Sequence, residues 1–122
     1  MLKKILLIED MKGVRESLEI ILSNQGYQVE FARDGNEGLL KAKSSQYDLI
    51  ITDILMPVLD GIEVIMQLRS LGDTTPILAM SAGGDGISAS QALVTAQEKA
   101  DAVMAKPFSK EEILTQIKQL IG

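Results

Sequence analysis

Apolar residues follow two rhythms along the chain. Ile5-Leu6-Leu7-Ile8, Leu49-Ile50-Ile51, Ile77-Leu78-Ala79-Met80 and Ala102-Val103-Met104-Ala105 are short, nearly unbroken runs. Such runs predict strands buried on both faces, the central one over 48–52. Tyr27 to Ala32 alternates instead, with Tyr27, Val29 and Phe31 set against Gln28 and Glu30, as a strand nearer a sheet edge does. Between the runs, apolar residues recur at helical spacing. Val14, Leu18, Ile21 and Leu22 predict a helix over 11–24. Ile62, Ile65 and Leu68 predict one after Asp60-Gly61, and Ile113, Ile117, Leu120 and Ile121 predict the last. Asp34 can cap a shorter helix through Leu39-Leu40-Lys41-Ala42, which Gly35 and Gly38 weaken. A helix of small residues from Ala89 to Lys99, loosely packed, follows the flexible stretch Gly83-Gly84-Asp85-Gly86.

The punctuation agrees with the rhythm. Gln25-Gly26 reads as a helix stop with glycine in the left-handed position. Gly72-Asp73 and Thr74-Thr75-Pro76 end the third helix, and Ser109-Lys110-Glu111-Glu112 fits a capping box for the last. Five strands alternating with five helices predict an α/β fold: a doubly wound parallel sheet with helices on both faces, joined by right-handed crossovers. The 122 residues contain no linker, repeat or low-complexity tract. They are expected to form one domain, 1–122, with no output domain after the last helix.

Composition then removes whole classes of chemistry. There is no Cys and no His, so disulfides, thiolate metal sites, imidazole bases and a phosphohistidine on this chain are out. A net charge of −5 argues against nucleic acid as a direct partner. The apolar N-terminal run is broken by Glu9-Asp10 after four residues, too short for a signal peptide, and no stretch approaches a membrane span. The expectation is a cytoplasmic protein.

Candidate chemistry appears when the strand exits are set side by side. The first strand ends at Glu9-Asp10, the third at Asp53, the fourth at Ser81 and the fifth at Lys106. In a parallel sheet these exits share one edge, where ligands bind in open α/β folds. Each residue alone reads equally well as a turn or cap, Asp10 as a cap of the first helix above all. Together they are three carboxylates, a hydroxyl and an ammonium in one crevice. Clustered carboxylates raise a pKa or recruit a cation. An all-oxygen donor set favours a hard ion, and Mg2+ suits best. An aspartate beside that ion can accept a phosphoryl group, with Lys106 neutralising one side of it and Ser81 and nearby backbone N–H groups taking the remaining oxygens.

These motifs resemble the receiver domains of two-component response regulators, including the stand-alone, chemotaxis-regulator-like ones. The likeness rests on Glu9-Asp10, Asp53-Ile54-Leu55-Met56-Pro57, Asp60-Gly61, Ser81-Ala82 and Lys106-Pro107-Phe108, in that order, and spans essentially the whole chain. It implies a flavodoxin-like sheet of order 2-1-3-4-5. It implies phosphorylation of Asp53 by a phosphohistidine on a sensor histidine kinase or histidine phosphotransfer protein. The metal would be held by Asp10, Asp53 and the Leu55 main-chain carbonyl, with Glu9 acting through water. Lys106 would bond the phosphoryl group, Ser81 would move toward it, and the Lys106–Pro107 bond would be cis. A downstream protein target would read the change on the face formed by the fourth helix, fifth strand and fifth helix. The protein is then a switch and not an enzyme, although it assists its own phosphorylation and dephosphorylation.

The chain departs from the family pattern in three places. Val103 stands where receivers carry Tyr or Phe. The segment between Ser81 and Lys106 is a few residues longer than usual, with the excess at Gly83–Gly86. Nothing follows the last helix, which leaves a stand-alone regulator or a receiver cut from a larger hybrid kinase or regulator. Two other classes compete. A haloacid-dehalogenase-type phosphatase needs a second Asp where Leu55 stands. A flavin module needs a phosphate loop where Glu9-Asp10 would repel it. An unphosphorylated scaffold of the same fold stays open.

Overall fold

The computed structural model describes residues 2–54, 61–81 and 98–122. In chain order these form β1 (Lys4–Ile8), α1 (Lys12–Asn24), β2 (Gln28–Ala32), α2 (Gly35–Ser44), β3 (Leu49–Asp53), α3 (Gly61–Ser70), β4 (Ile77–Ser81), β5 (Ala102–Ala105) and α4 (Lys110–Ile121). The strands make one parallel sheet of order β2-β1-β3-β4-β5, the expected flavodoxin-like order.

Side chains along a strand alternate between the two faces of the sheet, and here both faces are buried. Leu6, Ile8, Ile50, Ile54, Ile77 and Ala79 point toward Leu39 and Ala42 of α2 and Val64, Ile65 and Leu68 of α3. Ile5, Leu7, Leu49, Ile51, Leu78 and Met80 point toward Leu18 and Leu22 of α1 and Ile113 and Ile117 of α4. The unbroken apolar runs follow from this, because a strand between two layers needs apolar residues at every position. β2 lies at the edge, with Tyr27, Val29 and Phe31 partly buried against the α1 layer.

The helix signals act as read. Asp34 accepts from Glu37 N at 2.8 Å, Ser109 and Glu112 make a reciprocal capping box, and Gly26 takes φ +88° just past α1. Of the five expected helices, four are delimited among the described residues. The expected helix over 89–99 lies outside them, except for Glu98 and Lys99, which are helical. Leu55, Asp60 and the Gly83–Gly86 stretch also lie outside the described residues.

Candidate functional site

The strand exits do share one edge, and the sheet's hydrogen bonding extends one step past the strands to hold the residues that matter. Glu9 N donates to Ala32 O (3.1 Å), Ile54 N to Met80 O (2.9 Å) and Lys106 N to Ser81 O (2.7 Å). Asp53 and Ser81 are themselves the last residues of β3 and β4. The strands expected from the sequence stopped one residue short of each, since a ladder needs only backbone partners and continues through a polar side chain.

Glu9 (0% exposed) and Asp53 (4%) are buried, and Asp10 is half-buried. Each offers a carboxylate oxygen, and the three oxygens lie within 4.8 Å of one another. Asp10 does not cap α1. That place belongs to Met11, which makes no side-chain capping bond, so the Asp10 carboxylate is free of the role that most plausibly competed for it. Lys106 Nζ donates to Asp53 Oδ2 at 2.9 Å and to Glu9 Oε1 at 3.0 Å. The Lys106–Pro107 bond is cis, as the resemblance implied.

The electrostatics follow from this packing. Burial first, and the neighbouring Asp53 carboxylate second, push Glu9 from 4.5 up to about 7, against the pull of Lys106. Burial alone would lower the Lys106 pKa, but its bonds to Asp53 and Glu9 outweigh that and raise it. Two buried acceptors, Glu9 Oε2 and Asp53 Oδ1, have no hydrogen-bond partner among the described residues. Buried acceptors left without partners are costly. Two of them facing a third carboxylate suit a hard cation coordinated by oxygen, and Mg2+ fits that donor set.

Ser81 is buried and borders Lys106 through its carbonyl. Among the described residues its hydroxyl makes no hydrogen bond to the carboxylates. Val103 is half-buried in β5 and packs against the layer under α2 and α3. An open cleft of about 930 Å³ leads to the acidic residues. Asp10, Asp53 and Lys106 line it together with the apolar Met11, Val14 and Phe108.

Two neighbours of the cluster escaped the sequence reading. Arg15 (8% exposed) donates Nη1 to Glu9 O at 3.1 Å, and its guanidinium lies 5.1 Å from the Phe31 ring centroid. Its helical spacing with Leu18 and Leu22 was the available signal, masked by its charge. Thr52 (0% exposed) donates its hydroxyl to Asp53 O at 3.0 Å. In sequence it reads as one more β-branched strand residue.

Comparison with known proteins agrees with the geometry. Residues 5–118 match the family model described as the response regulator receiver domain. The response regulator MprA of Mycolicibacterium vanbaalenii is 42% identical over 118 residues, 97% of this chain and 50% of that protein. MprA of Mycobacterium avium gives the same figures, so the chain spans about half the length of the curated relatives it matches. Among solved structures, the Vibrio cholerae chemotaxis protein CheY4 superposes with a TM-score of 0.85 at 30% identity, covering 98% of this chain and 99% of that one. The receiver domain of the sensor histidine kinase PA1611 from Pseudomonas aeruginosa PAO1 superposes with a TM-score of 0.89 at 30% identity, covering 100% and 99%. That structure has a magnesium ion coordinated in its active-site cleft. The acidic cluster, the sheet order and these likenesses converge on one conclusion: the chain belongs to the response regulator receiver domain family.

Proposed function

We propose that the chain is a phospho-accepting switch in a two-component phosphorelay, with Asp53 as the acceptor. One observation carries the reading: Asp53 keeps one oxygen, Oδ2, on Lys106 while the other, Oδ1, is buried without a partner beside two more carboxylates. The donor is a phosphohistidine on a sensor histidine kinase or a histidine phosphotransfer protein, entering by the cleft beside α1. An Asp53 oxygen attacks phosphorus and forms the O–P bond. The P–N bond breaks, its electron pair stays on the imidazole nitrogen, and that nitrogen is protonated from solvent.

Asp10, Asp53, the Leu55 main-chain carbonyl and, through water, Glu9 are the residues that would hold Mg2+, which supplies charge neutralisation for the transferring group. Lys106 leaves Asp53 Oδ2 for a phosphoryl oxygen, and Ser81 bonds another. The phosphorylated state shifts the population toward a second conformation. A downstream protein reads it on the surface of β5 and α4, where Met104, Glu111, Glu112 and Gln116 line a shallow recess of about 270 Å³; the helix expected over 89–99, which the resemblance adds to that face, lies largely outside the described residues. With Val103 in β5 the signal travels without an aromatic rotation. The chain is a cytoplasmic signalling switch and not a turnover catalyst. No helix among the described residues is long and apolar enough to cross a membrane.

The test is incorporation of acid-labile phosphate from acetyl phosphate with Mg2+. The parent is expected to label and Asp53→Asn to remain blank. Equal labelling removes Asp53 from the role. Absence of beryllofluoride-induced NMR shifts around Asp53 favours a scaffold that works unphosphorylated.

A further inference from the structure

We propose that Thr52 and Gly61 are positioning residues for Asp53, gripping the main-chain carbonyl of the acceptor from two sides. Thr52 lies on the face of β3 opposite Asp53. Its register partners are Ile8 on β1 and Ala79 on β4, and Ile50 and Ile54 flank it on the same face. All four belong to the apolar layer under α2 and α3. Valine would match that layer in shape and polarity. The chain has a hydroxyl there instead, and the hydroxyl donates to Asp53 O at 3.0 Å.

The first residue of α3 closes the grip. A Cβ built on Gly61 would collide with Asp53 O and stand 2.9 Å from both the Asp53 carbonyl carbon and Ile54 Cα. The same peptide group is held at its N–H end, Ile54 N donating to Met80 O (2.9 Å), and the next peptide is held by Gly61 N donating to Ile54 O (2.8 Å). The peptide plane after Asp53 therefore has no room to turn, and the carboxylate swings from a fixed base.

This matters at the moment of transfer. In the ground state Lys106 also holds the outer end of the side chain through Oδ2. On the phosphoacceptor reading, on which this inference rests, Lys106 gives up that bond to take a phosphoryl oxygen. The backbone grip is then what keeps the attacking oxygen in line, and transfer rates are sensitive to sub-ångström misplacement. Thr52 and Gly61 touch neither donor nor phosphoryl group; they act through Asp53.

The experiment compares the parent with Thr52→Val and Thr52→Ser by thermal melting in EDTA and by phosphorylation rate at saturating acetyl phosphate and Mg2+. Thr52→Val, which keeps the volume, is expected to melt close to the parent yet to phosphorylate about fivefold to tenfold more slowly, the scale of one neutral hydrogen bond. Thr52→Ser, which keeps the hydroxyl and loses a buried methyl, is expected to melt lower than Thr52→Val yet to phosphorylate faster. A Thr52→Val chain that phosphorylates like the parent, rates that follow melting temperature across the three proteins, or a Thr52→Val chain that no longer folds would make the hydroxyl purely structural and overturn the assignment. A parent that takes no label overturns the phosphoacceptor reading instead.

Discussion

The Lys106 ammonium stands 2.9 Å from Asp53 Oδ2 across 53 positions of sequence, and the same nitrogen reaches Glu9 Oε1 at 3.0 Å. One cation thus balances two buried carboxylates. Lys106→Ala is expected to leave Mg2+ affinity within about threefold of the parent while phosphorylation ceases to change affinity for a partner. In EDTA it should cost about 2 kcal/mol, since Glu9 and Asp53 lose their counter-charge. Mg2+ should return most of that loss. Melts with and without Mg2+, and partner binding before and after phosphorylation, check it. Unchanged coupling would remove Lys106 from the switch.

Glu9 makes the metal-free protein sensitive to pH. Its folded-state pKa is raised from 4.5 to about 7, so the folded chain holds a proton that the unfolded chain has released. The stabilising contribution is fully present below pH 4.5 and is lost as pH rises through about 7. Melts in EDTA from pH 5 to 8 should show a decline of roughly 1–3 kcal/mol, and Glu9→Gln should flatten it. The chain has no His to titrate in the same window. Mg2+ competes with that proton, so its apparent affinity should climb over the same range. A slope that survives in Glu9→Gln would assign the effect elsewhere.

Gly38 sits where α2 meets β1. A Cβ there would run into Ile8 Cδ1 and stand 2.7 Å from Cγ1, and Ile8 is fully buried, with no room to swing away. Gly38→Ala should therefore destabilise by about 1–3 kcal/mol, although alanine is the better helix former by about 1 kcal/mol. Adding Ile8→Val should recover part of the loss, a coupling that urea midpoints of the single and double variants would reveal.

Arg69 ties three elements at the opposite edge of the sheet. Nη1 donates to Asp73 O (2.8 Å) and Thr75 O (3.0 Å), Nε to Lys99 O (3.1 Å) and Nη2 to Asp101 Oδ2 (2.9 Å). Asp101 Oδ2 also accepts from Ile77 N at 2.8 Å. Arg69→Lys should cost about 2 kcal/mol, because a point charge on a flexible stem does not serve four acceptors at fixed angles. Hydrogen exchange should quicken first at the Ile77 and Asp101 amides. Uniform quickening across the sheet would mean a global effect instead.

Much of this was legible in the residues. Runs such as Ile5–Ile8 and Leu49–Ile51 have one physical reading, burial on both faces, and that reading fixed the parallel sheet and put Glu9, Asp53, Ser81 and Lys106 on one edge. Capping at Asp34 and Ser109 was readable because the oxygen needed is local. What escaped was long-range or looked ordinary. Arg15 is buried against Glu9 O and Phe31, partners that only the tertiary fold supplies. Gly38 read as a flaw in a helix, although its missing side chain is what admits Ile8. Thr52 read as a strand former, and its hydroxyl acquires meaning only against the carbonyl of Asp53.

The contact between Lys106 and Glu9 spans 97 positions, and among the described strands β5 joins the sheet along β4 alone. A chain growing from its N-terminus carries Glu9, Asp10 and Asp53 long before the lysine that balances them exists. On the reading proposed above, such a half-made chain has the acceptor but not the counter-charge. The coupling of phosphorylation to partner binding therefore arrives only when the residue just past the last strand is in place.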